Sequence, residues 1–89
     1  MVMESMPVRR TGEQTGEVVQ LDLRGLKCPL NWAHAKVRIE RMRAGDILEV
    51  TIDDPRGARD IPRAAEAEGH AIVEARTAAA GVWIIRIEK

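Results

Sequence analysis

The chain has no phenylalanine and no tyrosine, and Trp32 and Trp83 are its only aromatic residues. That absence removes the stacking platform of single-stranded nucleic-acid binders and leaves an aliphatic core as the only option. Excess charge of either sign is also missing: 14 Lys and Arg balance 14 Asp and Glu. No basic surplus is available to drive phosphate binding, so no direct nucleic-acid partner is expected. No apolar run approaches the ~18 residues of a membrane span, so no membrane partner is expected. The N-terminus has no apolar signal region, and the cytoplasm is the expected compartment. Cys28 is the single cysteine, which excludes an internal disulfide. Cys and His do not cluster at zinc spacing, and no metal or other cofactor is expected.

What remains is one small domain of 89 residues, with the 45% hydrophobic and 31% charged content of a soluble globular protein. Residues 1–16 contain Pro7, Arg9-Arg10, Gly12 and Gly16 without a sustained apolar period, and are expected to form a disordered, solvated tail. Residues 17–89 are expected to form the domain.

From Glu17 to Leu23 the residues alternate, with Val19, Leu21 and Leu23 on one side, which predicts a half-buried strand. Gly25 breaks the pattern, and Arg24-Gly25-Leu26-Lys27 makes a turn. Pro29 suits the first position of a helix, which predicts a helix from Pro29 to about Arg43 with Cys28 at its N-cap. Trp32, Ala35, Ile39 and Met42 share one stripe of that helix, and Arg41 and Arg43 fall in its last turn, where cations suit the dipole. Asp46 to Ile52 reads as a second strand. Asp54 then caps a second helix that starts at Pro55, turns Ala58, Ile61, Ala64 and Ala65 inward, and ends at Gly69. Pro62 lies inside it; either the helix bends there, the preferred form, or a loose turn precedes a helix beginning near Asp60. His70 to Arg76 and Val82 to Ile87 read as a hairpin around a turn at Ala78 to Gly81. The order β-α-β-α-β-β predicts an α/β fold: a two-layer sandwich with a mixed four-stranded sheet and two helices on one face. Right-handed crossovers would make its first three strands parallel.

Cys28 carries the chemistry. A thiol at a helix N-cap meets unpaired N–H groups and the positive end of the dipole, and both favour the thiolate. Lys27 and Arg24 are close in sequence and add positive charge. A strand-to-helix turn also lies at the carboxyl end of the sheet, where α/β folds place their sites. A cysteine hydrolase needs a base and an orienting group. His34 lies on the helix face away from the buried stripe, and His70 reads as a loop residue, so neither serves. A resolving cysteine for disulfide exchange is absent. A lone, exposed thiol of this kind suits a group carrier rather than a stand-alone turnover enzyme. The competing reading is a regulatory or protein-binding module on the same fold, in which Cys28 only caps a helix. An RNA-binding domain is opposed by both charge and aromatic content.

Leu30, Ala33 and Val37 form a second apolar line that begins beside Cys28, a candidate docking strip for a partner protein. Arg56, Arg59 and Arg63, on or near the second helix, are candidates for attracting an acidic partner surface. Capping and turn formation account for Asp53 and Asp54.

Asp22-Leu23-Arg24-Gly25-Leu26-Lys27-Cys28-Pro29 resembles the strand–turn–cysteine signature of the TusA-like (SirA-like) sulfur carriers. The resemblance continues through Ala44-Gly45-Asp46, Asp53-Asp54-Pro55 and Arg59-Asp60-Ile61-Pro62, and spans about residues 19 to 88. It implies the two-layer sandwich already inferred, similar to the C-terminal domain of translation initiation factor 3. It also implies that Cys28 carries a persulfide. The partners implied are a cysteine desulfurase or other sulfur donor protein and a downstream acceptor protein, in tRNA thiolation, sulfur oxidation or cofactor synthesis. The chain departs from the family's C-P-x-P motif, because it reads Cys28-Pro29-Leu30-Asn31. Pro29 still opens the helix, and Asn31 restores an N–H that is expected to help stabilise a thiolate or persulfide.

Overall fold

The computed structural model describes residues 16–89, so the expected tail and its Arg9-Arg10 pair lie outside the described residues except for Gly16. The elements run β1 (Val18–Asp22), α1 (Leu30–Glu40), β2 (Ile47–Ile52), α2 (Pro55–Ala67), β3 (Ala71–Ala79) and β4 (Val82–Glu88). The strands form one sheet in the order β1-β2-β4-β3. β1 pairs parallel to β2, and β4 pairs antiparallel to both β2 and β3. The first three strands therefore share a direction, as expected, but β4 inserts between β2 and β3. The burial of the strands explains that order. Ile85 and Ile87 of β4 are buried, whereas β3 carries alanines, Glu74, Arg76 and Thr77 and is exposed along most of its length. The more apolar strand takes the centre, and the polar one takes the edge.

Side chains alternate across the sheet. Leu48, Val50 and Ile52 of β2 and Ile85 and Ile87 of β4 join Ala35 and Ile39 of α1 and Ile61 and Ala65 of α2 in one core. Both helices thus lie on the same face. The buried core is aliphatic, as the composition requires, and Trp32 and Trp83 pack against it only partly buried. The opposite face carries a polar row, in register across the strands, of Gln20, Glu49, Arg86 and Glu74. Glu49 accepts from Gln20 at 3.0 Å and from Arg86 at 2.8 Å.

Several element boundaries differ from expectation. α1 begins at Leu30 and its N-cap is Pro29, with no side-chain cap. Cys28 therefore precedes the cap rather than forming it. α1 stops at Glu40, short of Arg43. Lys89, rather than Arg41 or Arg43, reaches its C-terminal end and donates to the carbonyls of Glu40 at 3.2 Å and Met42 at 2.8 Å. α2 runs unbroken through Pro62 from its cap at Asp54, which excludes the late start near Asp60. β3 extends to Ala79, because Ala79 pairs with Val82 and leaves a two-residue turn at Ala80-Gly81. Such a turn needs a positive φ, and Gly81 supplies it at 73°.

Candidate functional site

Parallel pairing of β1 with β2 brings their carboxyl ends to the same edge of the sheet. The loop after β1, which holds Cys28, is thereby set against the junction between β2 and α2. Two adjacent carboxylates fasten the two together. Asp53 accepts the Gly25 N–H at 2.9 Å, and Asp54 accepts the Cys28 N–H at 2.7 Å. Gly25 has a φ of 91°, which only glycine adopts freely, and so the loop can present that N–H to Asp53. Asp54 also caps α2 by accepting the Arg56 N–H at 3.1 Å. It is only 8% exposed, and the Cys28 N–H holds its carboxyl below the usual range, helped by Arg56 and Lys27. Capping is therefore half of what Asp54 does. Parallel adjacent strands were the signal for the other half.

Cys28 itself is half-buried rather than fully exposed. Its Sγ lies 4.0 Å from Oδ2 of Asp60 on α2. In sequence Asp60 is only part of the Arg59-Asp60-Ile61-Pro62 stretch, and the fold alone brings it to the thiol. The remaining residues singled out around the cysteine divide into those the fold gathers and those it does not. Arg24 donates to Asp22 through Nε at 2.9 Å and Nη2 at 2.7 Å, and its guanidinium pulls the Asp22 carboxyl down to about 2. It is committed to that neighbour, not to the thiol. Lys27 is exposed, and its positive charge acts on Asp54. The Asn31 N–H donates to the Lys27 carbonyl at 3.1 Å, so it is spent on the turn and does not support a thiolate as expected.

The Asn31 side chain is fully buried, which the helical stripe did not foresee. Its Oδ1 accepts from the Trp32 N–H at 2.7 Å, and its Nδ2 has no hydrogen-bond partner among the described residues. That amide abuts Gly57 in the first turn of α2, and a Cβ at Gly57 would lie 2.5 Å from it. Asn31 is thus a packing residue at the crossing of the two helices.

Away from the thiol, Leu30 is 53% exposed and Val37 50% exposed. With Ala33 and Leu21 they line a groove of about 410 Å³ flanked by His34, Arg38 and Arg41. The expected docking strip is therefore a continuous surface feature that starts two residues from Cys28. Arg56, Arg59 and Arg63 are all exposed on α2. Arg59 pairs with Asp60 at 3.1 Å and so stands beside the thiol. His34 is exposed, as expected, and His70 lies just before β3, which begins one residue later than the expected strand. No group of three or more metal-ligating side chains occurs among the described residues, and none of their helices is long and apolar enough to cross a membrane.

Fold and site together define a class: a small α/β sandwich that presents one cysteine on a strand-to-helix loop. The family model described as Sulfurtransferase TusA matches residues 19–89. A protein of Archaeoglobus fulgidus is 36% identical over 87 residues, which cover 98% of this chain and 99% of that protein. One of Thermotoga maritima is 35% identical over 68 residues, covering 76% of this chain and 86% of that protein. Both bear the name "putative sulfur carrier protein". The chain belongs to the TusA sulfurtransferase family.

Proposed function

We propose that this protein is a sulfur carrier that holds sulfur as a persulfide on Cys28. The observation that carries the reading is the placement of the chain's one thiol, on a loop tied to two elements at the carboxyl end of the sheet. The competing helix-cap role loses its basis, because Pro29 occupies the cap position.

The transfer needs no external oxidant. The sulfur of Cys28 attacks the outer sulfur of a persulfide on the donor protein. A new S–S bond forms at Cys28, the donor's S–S bond breaks, and the donor cysteine leaves as a thiolate that takes up the proton lost from Cys28. Handover to an acceptor cysteine repeats the exchange in the forward direction. The donor is a cysteine desulfurase or related sulfurtransferase, and the acceptor belongs to tRNA thiolation, sulfur oxidation or cofactor synthesis. The apolar groove along α1 supports docking of either partner beside the thiol, and its flanking Arg38 and Arg41 favour an acidic surface.

The test is intact-mass spectrometry after incubation with a cysteine desulfurase, its PLP cofactor and cysteine. A gain of one sulfur, ~32 Da, is expected, and Cys28→Ser abolishes it. No gain with several desulfurases overturns the reading.

A further inference from the structure

The thiol of Cys28 faces a carboxylate, and that carboxylate faces a guanidinium. Sγ lies 4.0 Å from Asp60 Oδ2, and Asp60 Oδ1 accepts from Arg59 Nε at 3.1 Å. A thiol is a weak donor and an ionised carboxylate an acceptor, so the S–H has one natural partner here. A carboxylate at this distance also opposes a second negative charge on the sulfur. Asp60 is therefore placed to restrain the nucleophile, and Arg59 to moderate that restraint.

We infer that Asp60 is a positioning residue that accepts the Cys28 S–H and restrains its reactivity in the free protein, with Arg59 setting the strength of the restraint. The inference rests on Cys28 being the sulfur-bearing residue, and it adds regulation to that site. In the free protein the sulfur is kept from indiscriminate exchange. Other charges belong to the same surroundings. Lys27 and the Asp22-paired Arg24 lie on the cysteine loop. Asp53 and Asp54 lie at the β2–α2 junction, where their carboxylates accept backbone N–H groups of that loop. Arg56 stands at the start of α2. Of the carboxylates, Asp60 alone has a recorded contact with Sγ among the described residues.

The test is the pH profile of Cys28 alkylation by iodoacetamide, which needs no donor protein. Asp60→Asn is expected to react roughly three- to tenfold faster than the unsubstituted protein near pH 7, with the rates converging at alkaline pH. Arg59→Gln leaves Asp60 unpaired and is expected to react more slowly near pH 7, the opposite direction from its neighbour. Asp60→Glu keeps the charge and returns the rate towards that of the unsubstituted protein. Equal rates at neutral pH for Asp60→Asn and the unsubstituted protein overturn the inference. So does a change of the same size at every pH, which marks a distorted loop. Because sulfur loading is read separately by mass, failure of the carrier reading leaves the alkylation result to decide the role of Asp60.

Discussion

Asp54 shows how one side chain can serve both a helix and a site. One of its oxygens caps α2, and the other holds the Cys28 N–H. Removing it by Asp54→Ala should lower Tm by roughly 4–8 °C, the range for loss of an N-cap in a domain of this size, and should disorder the cysteine loop as well. Thermal unfolding and backbone NMR of the loop read the two effects. The same carboxylate sets an acid limb. Its folded value lies below its ordinary one. Its contribution is therefore present above the unfolded value of about 3.9 and is lost as pH falls through the folded value. Asp54→Asn should show a shallower loss of stability below about pH 4, measured by urea unfolding at a series of pH values. Cys28 and Pro29 could be singled out from sequence because the strand pattern breaks and a proline follows. The contact with Asp60 could not, because 32 residues separate the two and only the packing of α2 brings them together.

At the scale of elements, the two helices meet where Asn31 faces Gly57. A methyl group at Gly57 would lie 2.5 Å from Asn31 Nδ2 and 3.1 Å from Ile52 Cδ1, both in the interior. Gly57→Ala is therefore expected to destabilise by about 1–3 kcal/mol despite the better helix propensity of alanine. Asn31→Ser in the same chain should recover part of the loss, and the coupling is read from a double-mutant cycle in urea. Glycine in the first turn of a helix looks like a local weakness in sequence; here it is the clearance for the helix opposite. The exposed side of α1 carries the apolar groove lined by Leu30, Ala33 and Val37. Val37→Asp leaves the core untouched but places a charge in the apolar groove. It should slow sulfur transfer from a desulfurase several-fold without moving Tm, since exposed substitutions rarely change stability by more than ~0.5 kcal/mol. Unchanged transfer would remove the docking role of the groove.

Across the whole molecule, the sheet has one face under the helices and one face without them. On the second face a row of polar residues crosses all four strands. Glu49 sits at its centre, with a side chain only 11% exposed, and Arg86 is its cationic partner. Arg86→Met should cost about 1–3 kcal/mol, because it leaves a largely buried carboxylate with Gln20 alone; Glu49→Gln should cost less. Chemical denaturation of both variants gives the comparison. The row cannot be assembled from any one segment, since each strand contributes a single residue and the register alone aligns them.

The sequence by itself determined the elements, their order and the sandwich they form, because alternation, helical spacing and the prolines at helix starts are local properties. It also singled out Cys28 as the candidate sulfur-bearing residue, because the chain offers no second thiol. Tertiary structure decided what surrounds that thiol. Parallel pairing placed Asp53 and Asp54 on the cysteine loop, and the packing of α2 placed Asp60 and Arg59 beside the sulfur. These are contacts between distant segments, which local pattern does not encode.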